Sequence, residues 1–194
     1  MSDLGRAPAD ELEVKAPVAD PAAVRRAIEA AGATLEYRGR MVDRRFDREG
    51  ALTARDEVVR LRTFRPADGS PPWGVLGWKG PHGARDGYRH RAELETRVPE
   101  PETVVAILER AGLAVTLLIE RSVEVYRLFG AVLRLEWYPA MDVLLEVEGA
   151  PAAMERAIAA TGLPRAGFLP ESLDYFLAAY RARTGRVGQI AGDA

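Results

Sequence analysis

The sequence predicts an α+β protein, with many alternating strands and a few helices set among them. Three observations carry this. Several short segments alternate charged and apolar residues with the period of two that belongs to a half-buried strand. Three others run from a proline to a glycine over equal distances, with helix-forming residues between. The two kinds recur in a fixed order, an acid–apolar–acid strand before a helix, as a duplicated unit with a partial third copy would give.

The first strand is Glu11-Leu12-Glu13-Val14-Lys15, with Glu11, Glu13 and Lys15 on one face and Leu12 and Val14 on the other. Backbone origins of the two acids lie ~6.6 Å apart along the strand. At an effective dielectric of ~20 their repulsion is roughly 2.5 kcal/mol, and a divalent cation between them turns it into attraction. Lys15 shares their face, so a metal and an anion could be held side by side. Lysine is otherwise nearly unused: of 27 Lys+Arg residues only Lys15 and Lys79 are lysine.

The helices follow. Pro21 to Gly32 carries Val24, Ala27, Ile28 and Ala31 as an apolar stripe, with Asp20 as its N-cap. Pro101 to Gly112 carries Val104, Ile107, Leu108 and Ala111, after the strand Glu93-Leu94-Glu95-Thr96-Arg97. Pro151 to Gly162 follows Glu146-Val147-Glu148. Further strands are read at Val58 to Phe64, Val75 to Lys79, Val123 to Phe129 with Gly130 as its turn, Val132 to Trp137 and Val143 to Val147. Pro66 to Pro72 and Gly80 to Gly87 read as loops. Glu171 to Arg183 is a closing helix with Leu173, Phe176, Leu177 and Tyr180 on its apolar face. One domain is expected over residues 8–184, with 185–194 as a flexible tail.

Composition narrows the function. A net charge of −2 gives no basic field for nucleic acid. There is no cysteine, hence no disulfide or thiolate metal site. No apolar run reaches membrane-spanning length and no signal pattern opens the chain, so a cytoplasmic protein without a membrane partner is expected. Neither a Ser-His-Asp set nor a phosphate loop is present; His82, in a glycine-rich loop, reads as exposed. What stands out is charge sorted onto one face of many strands. Glu11, Glu13, Glu93, Glu95, Glu136, Glu146 and Glu148 supply acids, while Lys15, Arg60, Arg62, Lys79, Arg91 and Arg134 supply bases. A solvated face has no need to pair acids at i, i+2. A site for a metal-bound polyphosphate does, because acids hold cations and bases hold phosphate oxygens.

These residues resemble the CYTH domain of the triphosphate tunnel superfamily, nearest the class IV adenylate cyclases. The resemblance rests on Glu11-Leu12-Glu13-Val14-Lys15, Phe46-Asp47, Arg60-Leu61-Arg62, Trp78-Lys79-Gly80-Pro81, Arg91 with Glu93 and Glu95, Glu124-Val125-Tyr126, Glu146-Val147-Glu148-Gly149 and Ser172-Leu173-Asp174-Tyr175, in the family's order. It implies a closed antiparallel β-barrel with charges lining a tunnel and helices outside, the reverse of a usual barrel interior. It implies Mg²⁺ or Mn²⁺ held by Glu11, Glu13, Glu136, Glu146 and Glu148, with Glu93 and Glu95 as weaker candidates. Lys15, Arg60, Arg62, Lys79, Arg91, Arg121 and Arg134 would bind phosphates, with Lys15, Lys79 and Arg121 nearest the chemistry. The implied substrate is ATP, giving cyclic AMP and pyrophosphate through two metals; inorganic or thiamine triphosphate hydrolysis is an alternative, as is binding of a polyphosphate or nucleotide without turnover. A homodimer is common among similar cyclases. Val123 stands where the family has arginine. Period two puts it on the face of Arg121, so it is expected to interrupt the cationic wall.

Overall fold

The computed structural model describes residues 9–85 and 88–192, with side chains from residue 12 onward except those of residues 84, 85 and 88–90. The expected α+β class is present: an antiparallel sheet curls on itself and helices pack on its outside. The strands are β1 (Ala9–Val18), β2 (Thr34–Asp47), β3 (Val58–Pro66), β4 (Trp73–Lys79), β5 (Gly83–Arg85), β6 (Tyr88–Val98), β7 (Ala114–Leu128), β8 (Ala131–Trp137) and β9 (Val143–Glu148). They are ordered β1-β9-β8-β7-β2-β3-β4-β6-β5. β1 has a partner on each side, pairing with β9 from Glu13 to Val18 and with β6 from Ala9 to Glu13.

Local chemistry sets the helices α1 (Pro21–Ala30), α2 (Pro101–Arg110), α3 (Pro151–Ala160) and α4 (Leu173–Thr184). Asp20 caps α1 by accepting from the Ala23 N–H at 2.9 Å. Gly32 lies just past the helix at φ +92°, where the Gly32 and Ala33 N–H groups donate to the Glu29 and Ile28 carbonyls. Val24 and Ile28 are buried, as the stripe requires, and α3 buries Met154, Ala157 and Ile158.

The main apolar core lies outside the sheet. Leu133, Leu135, Leu145, Val147 and Tyr126 point outward from β7, β8 and β9, and α1 and α3 cover them with Ile28, Met154 and Ile158. The inner face carries the charges. Glu124, on the outer face, fastens α1 down: both its carboxylate oxygens accept from Arg25 at 2.8 Å, and the Tyr126 hydroxyl donates to it at 3.1 Å.

Several expectations are corrected. β2 was not expected as a strand; its inward Asp43, Arg45 and Asp47 alternate with outward Arg38, Arg40 and Arg44, so charge on both faces hides the period. β7 begins at Ala114 rather than Val123; Leu117, Leu118 and Ile119 put apolar residues on both faces there and hide the period. β5 lies within the expected Gly80–Gly87 loop. In α2, Ile107 is 59% exposed, and Pro101 is the buried residue. The segment after Gly185, expected as a tail, is tied back: the Glu120 N–H donates to the Ile190 carbonyl at 2.6 Å, and Gln189 and Ala140 exchange backbone bonds.

Val123 requires the most consequential correction. It does share the inner face with Arg121, but it packs toward β2 and β3 rather than into the cavity. Val123 is 1% exposed and packs with Met41 and Phe64 in a second apolar cluster, flanked by Tyr37, Trp73, Val75 and Val125. It fills space with apolar atoms and leaves no gap in the wall. Val123→Arg should therefore lower stability by roughly 3 kcal/mol or more, through overpacking and a buried charge, without raising triphosphate affinity. Thermal melts and calorimetry of the variant check this; unchanged stability with tighter binding would place Val123 in the wall after all.

Candidate functional site

The inner face encloses one cavity of about 840 Å³. β1 to β4 and β6 to β9 all contribute charged residues to it: Glu13 and Lys15, Asp43 and Arg45, Arg60 and Arg62, Lys79, Arg91, Arg121, Arg134 and Glu136, and Glu146. Register places them in rows. Lys15 and Arg134 lie opposite Glu146 from its two neighbouring strands, and Asp43 lies opposite Arg62. Arg60, Gly77 and Glu95 form a row across β3, β4 and β6. A β-carbon on Gly77 would sit 3.3 Å from a Glu95 carboxylate oxygen, so glycine keeps open the space across which Arg60 and Glu95 meet at 3.2 Å.

Within the cavity, acids and bases hold one another. Lys15 Nζ lies 3.0 Å from Glu13 and 2.9 Å from Glu146, so two carboxylates converge on one ammonium. Arg134 bonds the other oxygen of Glu146 and lies 3.6 Å from Glu148. Arg121 joins Glu136 at 2.9 Å to Asp43 at 3.0 Å. Asp43 also takes two bonds from Arg62, at 2.8 and 3.1 Å, and lies 3.8 Å from Arg60. Lys79 pairs with Glu93. The Tyr138 hydroxyl donates to Glu136 at 2.6 Å.

Burial and pairing set the titrations. Burial would push the Asp43 carboxyl up, but Arg62, Arg121 and Arg60 outweigh it and hold the group well below the carboxylate range. Glu146 behaves alike, burial opposed by Lys15 and Arg134. Burial would lower Lys15, and Glu13 and Glu146 raise it above its ordinary value instead. Burial and the neighbouring Glu136 push the Tyr138 phenol well up, so it stays a hydrogen-bond donor.

Two donors are left over. Arg121 Nη1 and Arg134 Nε are buried in the cavity wall and have no hydrogen-bond partner among the described residues. An unmet buried donor costs about 1–3 kcal/mol, more when charged. Both belong to side chains that line the cavity.

The structure thus brings together Glu13, Lys15, Arg60, Arg62, Lys79, Arg121, Arg134, Glu136 and Glu146. Glu93, Glu95 and Glu148 are ion-pair partners at its edge. Arg91 lines the cavity but is tied by bonds to the Gly80 and Asp56 carbonyls at 2.5 and 2.6 Å. The side chain of Glu11 lies outside the described residues; its backbone pairs with Arg91. Sequence reasoning missed Asp43, the hub of three arginines; the i, i+2 spacing of Asp43, Arg45 and Asp47 was its signal, masked by Arg44. It also missed Asp56 and its bond to His82 Nδ1 at 2.7 Å, which brings that histidine to the cavity rim.

Carboxylate oxygens are suitable donors for Mg²⁺ or Mn²⁺, and Glu13 and Glu146 already point at one spot. Among the described residues, however, no three acids or histidines form a ready metal site: Lys15 and Arg134 sit between the acids.

No family profile matches the sequence, and no curated protein does. Solved structures do. A candidate adenylate cyclase from Vibrio parahaemolyticus superposes with a TM-score of 0.70 at 18% identity, covering 87% of this chain and 97% of its own. A candidate adenylyl cyclase from Hippeastrum, with a dominant triphosphatase activity, gives 0.60 at 17% over 89% and 96%. A protein from Pyrococcus horikoshii gives 0.65 at 20% over 86% and 98%. The chain has a CYTH-like fold. That fold explains why an apolar core lies outside the sheet and a charged cavity inside. No helix among the described residues is long and apolar enough to cross a membrane.

The ion pairs give a signed pH dependence. Depressed carboxyls such as Asp43 and Glu146 stabilise the fold above their ordinary values of about 4, and that contribution is lost as pH falls through their lower folded values. Raised Lys15 contributes below about 10.4 and fails as pH rises through its higher value. Urea denaturation should therefore show a plateau between about pH 5 and pH 10 with an acid decline. Asp43→Asn should cost roughly 3–5 kcal/mol at neutral pH, since it strips a shared counter-ion from buried arginines, and should make the acid decline shallower. An unchanged acid limb in that variant would show that Asp43 does not anchor the network.

Proposed function

We propose that the protein is a divalent-metal-dependent enzyme acting on a triphosphate-bearing small molecule. The carrying observation is the pair of buried donors with no partner among the described residues, Arg121 Nη1 and Arg134 Nε, on side chains that line the charged cavity. Phosphate oxygens would accept from them and from Lys15, Arg60, Arg62 and Lys79. Closure of the sheet into a full barrel, with its two strand–helix units as a duplicated pair, would complete the wall around such a ligand.

Each base that turns to phosphate leaves a carboxylate behind. Glu13 and Glu146 would then hold Mg²⁺ or Mn²⁺, with Glu136, Glu148 and Glu11 as further candidates. A bound divalent ion supplies charge neutralisation and an activated oxygen nucleophile. The protein's own side chains supply positioning: guanidiniums and ammoniums fix the phosphate chain in line, which is most of what phosphoryl-transfer catalysis requires.

Cyclisation of ATP to cyclic AMP and pyrophosphate is the first candidate reaction. Hydrolysis of inorganic or thiamine triphosphate is the second, favoured by the triphosphatase activity of the similar Hippeastrum protein. A binding-only role loses its motive, because Val123 does not breach the wall. A cytoplasmic setting and a homodimer fit this reading.

Incubation with ATP, thiamine triphosphate and inorganic triphosphate, each with Mg²⁺ or Mn²⁺, should yield cyclic AMP or released phosphate, and EDTA should abolish either. Turnover that survives EDTA would contradict the metal. Lys15→Ala and Arg62→Ala should each weaken triphosphate binding by roughly 1.5–3 kcal/mol, measured by calorimetry; unchanged affinity would remove those side chains from the site.

A further inference from the structure

We propose that the cavity is blind: it takes the end of a phosphate chain through a single mouth and does not let the chain pass through. This rests on the reading of the cavity as a triphosphate site and adds which part of a polyphosphate it accepts.

The observation is a change of chemistry along four neighbouring strands of the inner face. Along β3 the inward residues run Arg60, Arg62, Phe64. Along β4 they run Lys79, Gly77, Val75, Trp73; along β2, Asp43, Met41, Tyr37; along β7, Arg121, Val123, Val125. On β2, β3 and β4 register puts the switch at one height, since Met41 lies opposite Phe64 and Phe64 opposite Trp73; charge continues on β6 and β8, where Arg97 lies opposite Val75 and Glu136 opposite Val123.

Beyond that height the interior is filled. Phe64 and Trp73 stack at 4.0 Å with planes 13° apart, and Tyr37 meets Phe64 edge-on at 5.1 Å. The Tyr37 hydroxyl donates to the Arg40 carbonyl at 2.9 Å, which fixes the ring. Gly39 makes room for it: a β-carbon there would fall 2.6 Å from that hydroxyl oxygen. Met41 and Val123 are fully buried. None of these residues lines the cavity, whereas Asp56, Glu57, His82, Glu171 and Asp174 do, at the opposite end.

A highly charged phosphate chain cannot cross packed aromatic rings without losing its solvation. The ligand class is therefore one with a free terminal phosphate, such as an organic triphosphate or the end of a linear polyphosphate, with the remainder projecting from the mouth.

Stoichiometry separates end capture from threading. Protein in excess is mixed, without divalent metal so that no turnover runs, with tripolyphosphate or with long-chain linear polyphosphate, and complexes are sized by sedimentation. A blind cavity gives no more than two protein molecules per long chain, one at each end, with the same affinity per end as tripolyphosphate. Arg62→Ala should weaken both equally. More than two molecules per chain, lost in Arg62→Ala, would overturn the blind cavity while leaving the triphosphate site intact. Failure to bind tripolyphosphate at all would overturn the site reading, and this proposal with it. Phe64→Ala, if folded, should raise the number bound per long chain above two; a folded variant still limited to chain ends would show that this plug is not what closes the passage.

Discussion

Charge turned inward from a curled sheet must be neutralised where it stands. Taking an ion out of water costs several kcal/mol even after relaxation, and only close opposite charge recovers it. The cavity meets this by interleaving: Lys15 between Glu13 and Glu146, Arg121 between Asp43 and Glu136, Arg62 against Asp43. The rest of the architecture depends on that balance. An interior given to ions cannot supply the hydrophobic core, so the core moves outside, where helices α1 and α3 seal β7, β8 and β9. Within the interior, Tyr37, Met41, Phe64 and Val123 form a separate apolar cluster.

The same balance connects stability to function. In the free protein the acids serve as counter-ions for the bases. A polyanion with divalent cations presents an equivalent set of partners, phosphate for the bases and metal for the acids. Buried ion pairs bring little net stability over an apolar filling, so exchanging them for a ligand is a smaller step than breaking a packed core. In the proposed exchange, the leftover donors on Arg121 and Arg134 would favour an anion.

Much of this could be read from the sequence, and the failures have a common cause. Strands with one charged and one apolar face were legible: β1, β3, β8 and β9 appear where period two placed them. β2 and the first half of β7 were not: β2 carries charge on both faces, its outer Arg40 pairing with Glu120 at 2.8 Å, and β7 runs apolar on both faces through Leu117, Leu118 and Ile119. Asp43 was lost with β2. The acids and bases of the site were legible as residues but not as pairs, since pairing depends on register between strands distant in sequence. Val123 was placed on the correct face, yet its neighbours Met41 and Phe64 come from β2 and β3, and no local pattern shows that they enclose it.

The central claim is that the inner arginines exchange carboxylate for phosphate partners. NMR of the arginine Nε–H groups tests it most directly, recorded before and after addition of tripolyphosphate with Mg²⁺. The account predicts that the signals of Arg60, Arg62, Arg121 and Arg134 move, while those of Arg25, Arg127 and Arg165, which are paired on the outer surface, stay in place. Movement confined to the outer arginines, or no movement under saturating ligand, would contradict it.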